Sequence, residues 1–317
     1  MKTALTELLG TEIPILNAPM TPQAGGALAR AVSQAGAFGM LGFDEDETPE
    51  QIEEQIAILR QEPAVPFGVG LVAWVLERSP RLLDMAIAAR PKLISISFGD
   101  PAPYVKRVHD AGILLCSQVQ SRGWAQTALN AGVDILVAQG TEAGGHTGSS
   151  ACTLPLLQII LEMTDTPVVA AGGIAGGRGL AAVLAAGAAG AWIGTPFLLA
   201  QEARNSDAAR ERIRASDETQ TIYTRVYDRV SGKAWPSEFG GRALRTPFLE
   251  KWTGREDALL QDNDAVAHYD PKEKIYAGQS VGLLHQVQPA DQIVREIASS
   301  AEGLLLSLSR RFIKTSR

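Results

Sequence analysis

The sequence predicts an α/β fold, a (β/α)8 barrel carrying a smaller C-terminal lid domain. Three observations predict it. Short apolar or β-branched runs alternate with helix-length amphipathic runs from Ile13 onward, which is the sign of a parallel sheet with crossover helices. The alternation repeats eight times, the number that closes a barrel. Four of the helical runs stop on the same pair, Ala35-Gly36, Ala111-Gly112, Ala131-Gly132 and Ala186-Gly187, because glycine takes the left-handed C-cap without a Cβ penalty.

In chain order the expected strands are Ile13–Leu16, Phe38–Leu41, Phe67–Leu71, Leu93–Ser97, Leu114–Val119, Ile135–Ala138, Val168–Ala171 and Ala191–Ile193. Helices are expected near Gly25–Gln34, Pro49–Gln61, Ser79–Ala89, Pro101–Ala111, Ser121–Ala131, Leu154–Met163 and Gly177–Ala186, with an eighth near Phe197–Ala203. After about Ala215 the alternation gives way to a Thr/Tyr/Arg-rich, loop-rich stretch with Thr221–Arg229 strand-like. Residues 216–289 therefore read as a lid or second domain, and Asp291–Ser309 as an amphipathic helix that returns to the barrel. The barrel domain is then 1–215 completed by 290–317.

With 317 residues, the chain can bury a large core without disulfide or metal staples. Its formal net charge is −6 and it has no Lys/Arg-rich run, so neither a nucleic acid nor an anionic membrane is the expected partner. No apolar stretch reaches the length of a membrane span, and Met1 to Ile15 lacks the basic and apolar regions of a signal peptide. The expected compartment is the cytoplasm. Cys116 and Cys152 have no metal-ligand or CxxC spacing, and inert structural thiols are expected for both, with Cys116 buried in an apolar run. No metal site is expected.

The active site of such a barrel lies at the C-terminal strand ends, with phosphate bound after the seventh and eighth strands. There the chain reads Ala171-Gly172-Gly173-Ile174-Ala175-Gly176-Gly177 and Gly194-Thr195-Pro196, each leading into a helix. Glycines admit an anion close to the backbone, and a helix start offers free N–H groups and a positive dipole end. A phosphate cradle results without lysine; tight βα turns alone would explain one such loop. The first strand ends in Asn17-Ala18-Pro19-Met20, suited to a flat aromatic cofactor or equally to core packing. The sixth runs into Gly140-Thr141-Glu142-Ala143-Gly144-Gly145-His146-Thr147-Gly148, a long loop on the catalytic face. His146 is its candidate base or anion partner, whereas His109, His268 and His285 read as surface or packing residues.

Taken with Gly241-Arg242-Ala243-Leu244-Arg245 and Ala277-Gly278-Gln279-Ser280, these pieces resemble, in order and spacing, the nitronate monooxygenase (2-nitropropane dioxygenase) family of flavin mononucleotide (FMN) enzymes on a TIM barrel. The resemblance implies FMN contacts at Ala18, Pro19 and Met20, at Gly70 and Gln118, at Gly144, and around the phosphate at Gly172, Gly173, Ile174, Gly194 and Thr195, with His146 as the catalytic residue. The chain departs from the family at two of these positions. Many members carry Asn where Gly70 stands and Lys where Gln118 stands, so that Gln118 offers the flavin a neutral hydrogen bond in place of a charge.

The activity implied is oxidative denitrification of an alkyl nitronate or nitroalkane with O2 to a carbonyl compound and nitrite. The partners implied are thus small molecules, and a homodimer is left open. An NAD(P)H-dependent flavin reductase, of a quinone or of an enoyl thioester on acyl carrier protein, resembles the same loops. A non-redox barrel enzyme with a phosphorylated substrate, and a flavin-binding protein without turnover, are the readings from other classes.

Overall fold

The computed structural model describes residues 1–312; residues 313–317 of the expected closing segment lie outside the described residues. Eight parallel strands form the barrel: β1 (Ile15–Asn17), β2 (Gly39–Gly42), β3 (Phe67–Val72), β4 (Leu93–Ser97), β5 (Leu114–Val119), β6 (Ile135–Gln139), β7 (Val168–Ala171) and β8 (Gly190–Ile193). From β2 to β8 each pairs with its neighbours in sequence, and β1 pairs with β8 through Ile15–Ala191, Leu16–Trp192 and Asn17–Ile193. The remaining seam, between β1 and β2, has one backbone bridge, Leu16 with Phe38. Asn17 completes it. Its buried side chain accepts from the Met40 N–H at 2.8 Å and donates to the Met40 carbonyl at 2.7 Å, standing in for a ladder pair.

Helices α1 (Gly26–Gln34), α2 (Pro49–Leu59), α3 (Arg81–Ala88), α4 (Ala102–Asp110), α5 (Arg122–Ala131), α6 (Thr153–Leu161) and α7 (Gly177–Ala185) surround the strands. The four expected Ala-Gly stops carry positive φ, as at Gly132 (88°) and Gly187 (105°). The expected eighth helix is displaced. Thr195–Leu199 forms only a 3-10 turn, and the outer layer is closed instead by α8 (Ala290–Phe312), which packs on α7 and α1. The contact is close: a Cβ on Gly177 would lie 2.4 Å from Ser300 Cβ. The chain between β8 and its helix is thus one long insertion.

Alternate residues point inward, so Leu16, Phe38, Met40, Leu93, Cys116, Ile135, Val137, Val169 and Trp192 fill the barrel, and Leu5 and Leu9 of the N-terminal helix Ala4–Leu9 plug its floor. Burying each such side chain stabilises by about 1.5–3 kcal/mol. A packed lower barrel leaves the upper, C-terminal mouth for chemistry. Above that mouth sits a three-stranded antiparallel sheet, ordered Thr221–Thr224, Gly240–Leu244, Gly145–Thr147. Its third strand is part of the expected histidine loop, which pairs across long sequence separation with the insertion rather than remaining irregular. Among the described residues no helix is long and apolar enough to cross a membrane.

Candidate active site

His146 is the middle residue of the strand Gly145–Thr147, opposite Gly241. The Gly145 φ of 72° turns the loop into the pairing. Below, the Gln139 side chain donates to the His146 carbonyl at 2.9 Å, and Gln120 donates to the Gln139 carboxamide at 2.8 Å. Both glutamines are buried at the ends of β6 and β5. The imidazole is therefore carried by backbone fixed from two sides. Of the other histidines, His109 pairs with Asp134 at 2.9 Å and His268 with Asp264 at 3.2 Å, and His285 is exposed.

The ring of His146 meets three insertion residues. Its Nε2 lies 2.8 Å from Asp228 Oδ1, with only 13% and 6% of the two side chains exposed. Trp235 stacks on it, centroids 3.5 Å apart and planes within 6°, and Tyr276 stands 5.3 Å away. Asp228 sits in the short helix Val226–Val230, and its second oxygen is buried without a hydrogen-bond partner. Burial and the Asp228 carboxylate together push the Tyr276 phenol well above its ordinary range.

Trp235 belongs to a strap crossing the mouth. Its indole also packs edge-on against Trp74 and Phe98 at the ends of β3 and β4. Phe98 is held at φ 64°, a conformation that costs a non-glycine residue about 1–3 kcal/mol and occurs where a side chain must be aimed. Lys233 ties the strap to the β2–α2 loop, 2.6 Å from Asp46 and 3.6 Å from Glu45. Of the remaining insertion aromatics, Tyr227 is buried in the core of the insertion, and Tyr223 donates to the Thr147 carbonyl at 3.0 Å.

Several of the expected cofactor residues meet one another at the strand ends. A Cβ on Gly194 would fall 3.3 Å from Met20 Sδ and 3.4 Å from Ala18 Cβ, so the ends of β1 and β8 meet there. The Thr195 hydroxyl accepts from the Gly278 N–H at 3.0 Å, and a Cβ on Gly144 would lie 2.5 Å from that nitrogen. Gly144 thus serves close packing of the histidine loop on Ala277-Gly278. Gly172 and Gly173 have φ of 105° and 72°. Thr153, at the start of α6, donates through its N–H to Glu142 at 2.9 Å, and its Oγ1 lies 2.9 Å from the Gly172 carbonyl. Ile174 is buried in the core between the strands and the surrounding helices.

These residues fit a flavin phosphate. Among the described residues no protein acceptor takes the backbone N–H of Gly172, Gly173, Gly194 or Thr195, and the orphan first-turn N–H groups of α7 follow Gly176. The nearby Glu142 carboxylate is already occupied by Thr153. Gln118 is half-buried at the top of β5; its N–H donates to Ser97 Oγ at 3.0 Å, while its carboxamide has no protein partner among the described residues. Gly70 lies behind Pro19: an added Cβ would be 2.4 Å from Pro19 Cγ. A side chain at position 70 would require Pro19 to shift.

The model of the nitronate monooxygenase family matches residues 74–300. The chain belongs to that family. Its relatives and their reactions are diverse. Over 72% of this chain and 64% of the relative it is 35% identical to the (3aS,4S,5R,7aS)-5-hydroxy-7a-methyl-1-oxo-octahydro-1H-indene-4-carboxyl-CoA dehydrogenase of Rhodococcus jostii. The structure of FabK from Thermotoga maritima superposes with a TM-score of 0.85 at 28% identity, covering 99% of this chain and 100% of that one. The nitroalkane oxidase of Streptomyces ansochromogenes gives 0.79 at 28% identity, covering 97% and 100%. As a member of the nitronate monooxygenase family, a family of flavoproteins, the chain is an oxidoreductase acting on a small molecule.

Cys116 is buried as expected, and burial pushes its thiol up to about 12. Cys152 departs from expectation. It is exposed, because it precedes α6 on the outer side of the histidine loop.

Proposed function

We propose that the protein is an FMN-dependent nitronate monooxygenase that converts an alkyl nitronate, or a nitroalkane after proton loss, with O2 to a carbonyl compound and nitrite. The barrel, 1–215 with 290–317, would hold FMN through Ala18, Pro19, Met20, Gln118 and the Gly172-Gly173-Ile174 and Gly194-Thr195 loops, and 216–289 would act as the lid. FMN, when bound, supplies the electron transfer that no side chain can carry.

The observation that carries this reading is His146, borne on the loop that also carries Gly144, held between Asp228 and Trp235. With Nε2 donating to Asp228, Nδ1 is the nitrogen left to take an α-proton or to orient an anion. Trp235 covers one ring face, and with the His146 and Asp228 side chains only 13% and 6% exposed their polar contact is strengthened by the low local dielectric. The test is oxygen uptake with equivalent nitrite release when nitronate is added to the yellow protein without NAD(P)H; absence of both would exclude the reading.

The second reading is an NAD(P)H-dependent flavin reductase of a quinone or an enoyl thioester. It is favoured by the likeness to FabK over the whole chain and by the relative that acts on a CoA thioester. His146 would then deliver a proton rather than remove one.

A further inference from the structure

Tyr276, just before the segment Ala277-Gly278-Gln279-Ser280, is placed by the strand Gly240–Leu244. Ala243 bridges it antiparallel, the Leu244 N–H donates to the Ile275 carbonyl at 2.8 Å, and the Ala277 N–H donates to the Arg242 carbonyl at 3.3 Å. The Tyr276 ring then crosses Gly241, the residue that faces His146 in the ladder: a Cβ there would lie 2.5 Å from Tyr276 Cε1. Glycine at 241 thus clears the space through which the phenol ring comes to 5.3 Å from the imidazole. Asp228 meets His146 through one oxygen only. Its Oδ2 is buried with no hydrogen-bond partner, a costly state unless a donor is at hand. Two phenols feel the Asp228 charge, Tyr276 and Tyr269. The Tyr269 hydroxyl faces Ser231, whereas that of Tyr276 faces the Asp228 side chain itself. Tyr227, packed edge-on against Tyr276, is committed to the Glu273 carbonyl at 3.3 Å. Burial first and the Asp228 carboxylate second keep the Tyr276 phenol neutral well above its ordinary range, so it remains a donor at neutral pH.

We infer that Tyr276 is a positioning residue that acts on His146 through Asp228, its hydroxyl donating to the free carboxylate oxygen. An imidazole whose one partner is a buried carboxylate is drawn toward its protonated form, which cannot accept a proton. A second donor on the carboxylate takes up part of that charge and leaves the ring able to serve as a base near neutral pH. Among His146, Tyr276, Tyr227, Tyr269 and Asp228, Asp228 is the only carboxylate, so the effect has a single route. The inference rests on the proposed role of His146 in proton transfer and is independent of whether a nitronate is the substrate.

Nitrogen-15-edited NMR of the flavin-loaded protein, labelled at its four histidines, reads the His146 Nε2–H proton held by Asp228, and steady-state kinetics on a neutral nitroalkane read its use. Tyr276→Phe keeps the ring over Gly241 and removes only the hydroxyl. It should move that proton downfield as the bond to Asp228 strengthens. It should also lower kcat about fivefold near neutral pH, the worth of one hydrogen bond, with KM unchanged and the loss recovered as pH rises. In an Asp228→Asn background the same replacement should change neither further. A resonance unmoved or moved upfield, an unchanged kcat on a nitroalkane that is turned over, or an equal loss of kcat with and without the Asp228 carboxylate overturns the inference. A downfield shift in a protein that turns over no nitroalkane upholds it and counts against the nitronate reading alone, because the resonance is recorded without substrate.

Discussion

Asp228 Oδ1 lies 2.8 Å from His146 Nε2, so a carboxylate of the insertion orients an imidazole borne on the barrel's sixth loop. Neither half of the pair is complete without the other segment in place. Asp228→Asn is expected to retain flavin and lower turnover of a neutral nitroalkane toward the about 10²–10⁴-fold that a positioned general base contributes. His146→Ala should lose at least as much, and both should lose less with pre-formed nitronate, which has no α-proton to give up. Steady-state rates on the two substrates check this; equal, small losses on both would leave the pair structural.

Gly173→Val is expected to yield colourless protein. At φ 72° a β-branched residue is strained, and its side chain would crowd the donors of the phosphate rim. Absorbance near the flavin bands after purification, and the thermal shift on adding FMN, read the result. A ligand that binds only the folded state must raise its stability.

Asn17→Leu should destabilise by about 2–4 kcal/mol, because the Met40 N–H and carbonyl would both be left buried without partners at the barrel seam. Denaturant unfolding of the two proteins measures this directly.

One thiol should react quickly with an aromatic disulfide reagent in the native protein and two after unfolding, since Cys152 is exposed and Cys116 is buried. The buried thiol also gives a pH dependence. Its folded value of about 12 exceeds the ordinary value of 9.0, so its contribution to stability is full below pH 9.0 and is lost as pH rises toward about 12. Melting temperatures across that alkaline window should fall less in a Cys116→Ala variant, relative to its own value at pH 8.

Much of the barrel is legible in the sequence because strand runs and Ala-Gly stops are local signals. The histidine loop and the two glycine-rich strand ends are legible for the same reason. The helix expected at Phe197–Ala203 is not: a 3-10 turn follows Gly194, and the outer layer is closed by the helix expected at Asp291–Ser309, observed at Ala290–Phe312. Asp228 carries no local mark, and 82 residues separate it from its partner. Gln139 could have been found, as a polar residue ending the apolar run Ile135–Ala138. The role of Gly70 appears only once Pro19 is seen against it.

Anaerobic mixing of the flavin-loaded protein with an alkyl nitronate, and separately with NADH and NADPH, while the flavin absorbance is followed, separates nitronate oxidation from nicotinamide-dependent reduction. Rapid bleaching by nitronate is expected, with recovery of the oxidised spectrum and release of nitrite when O2 is admitted. Rapid bleaching by NADH or NADPH with nitronate inert would contradict it and make the enzyme a reductase.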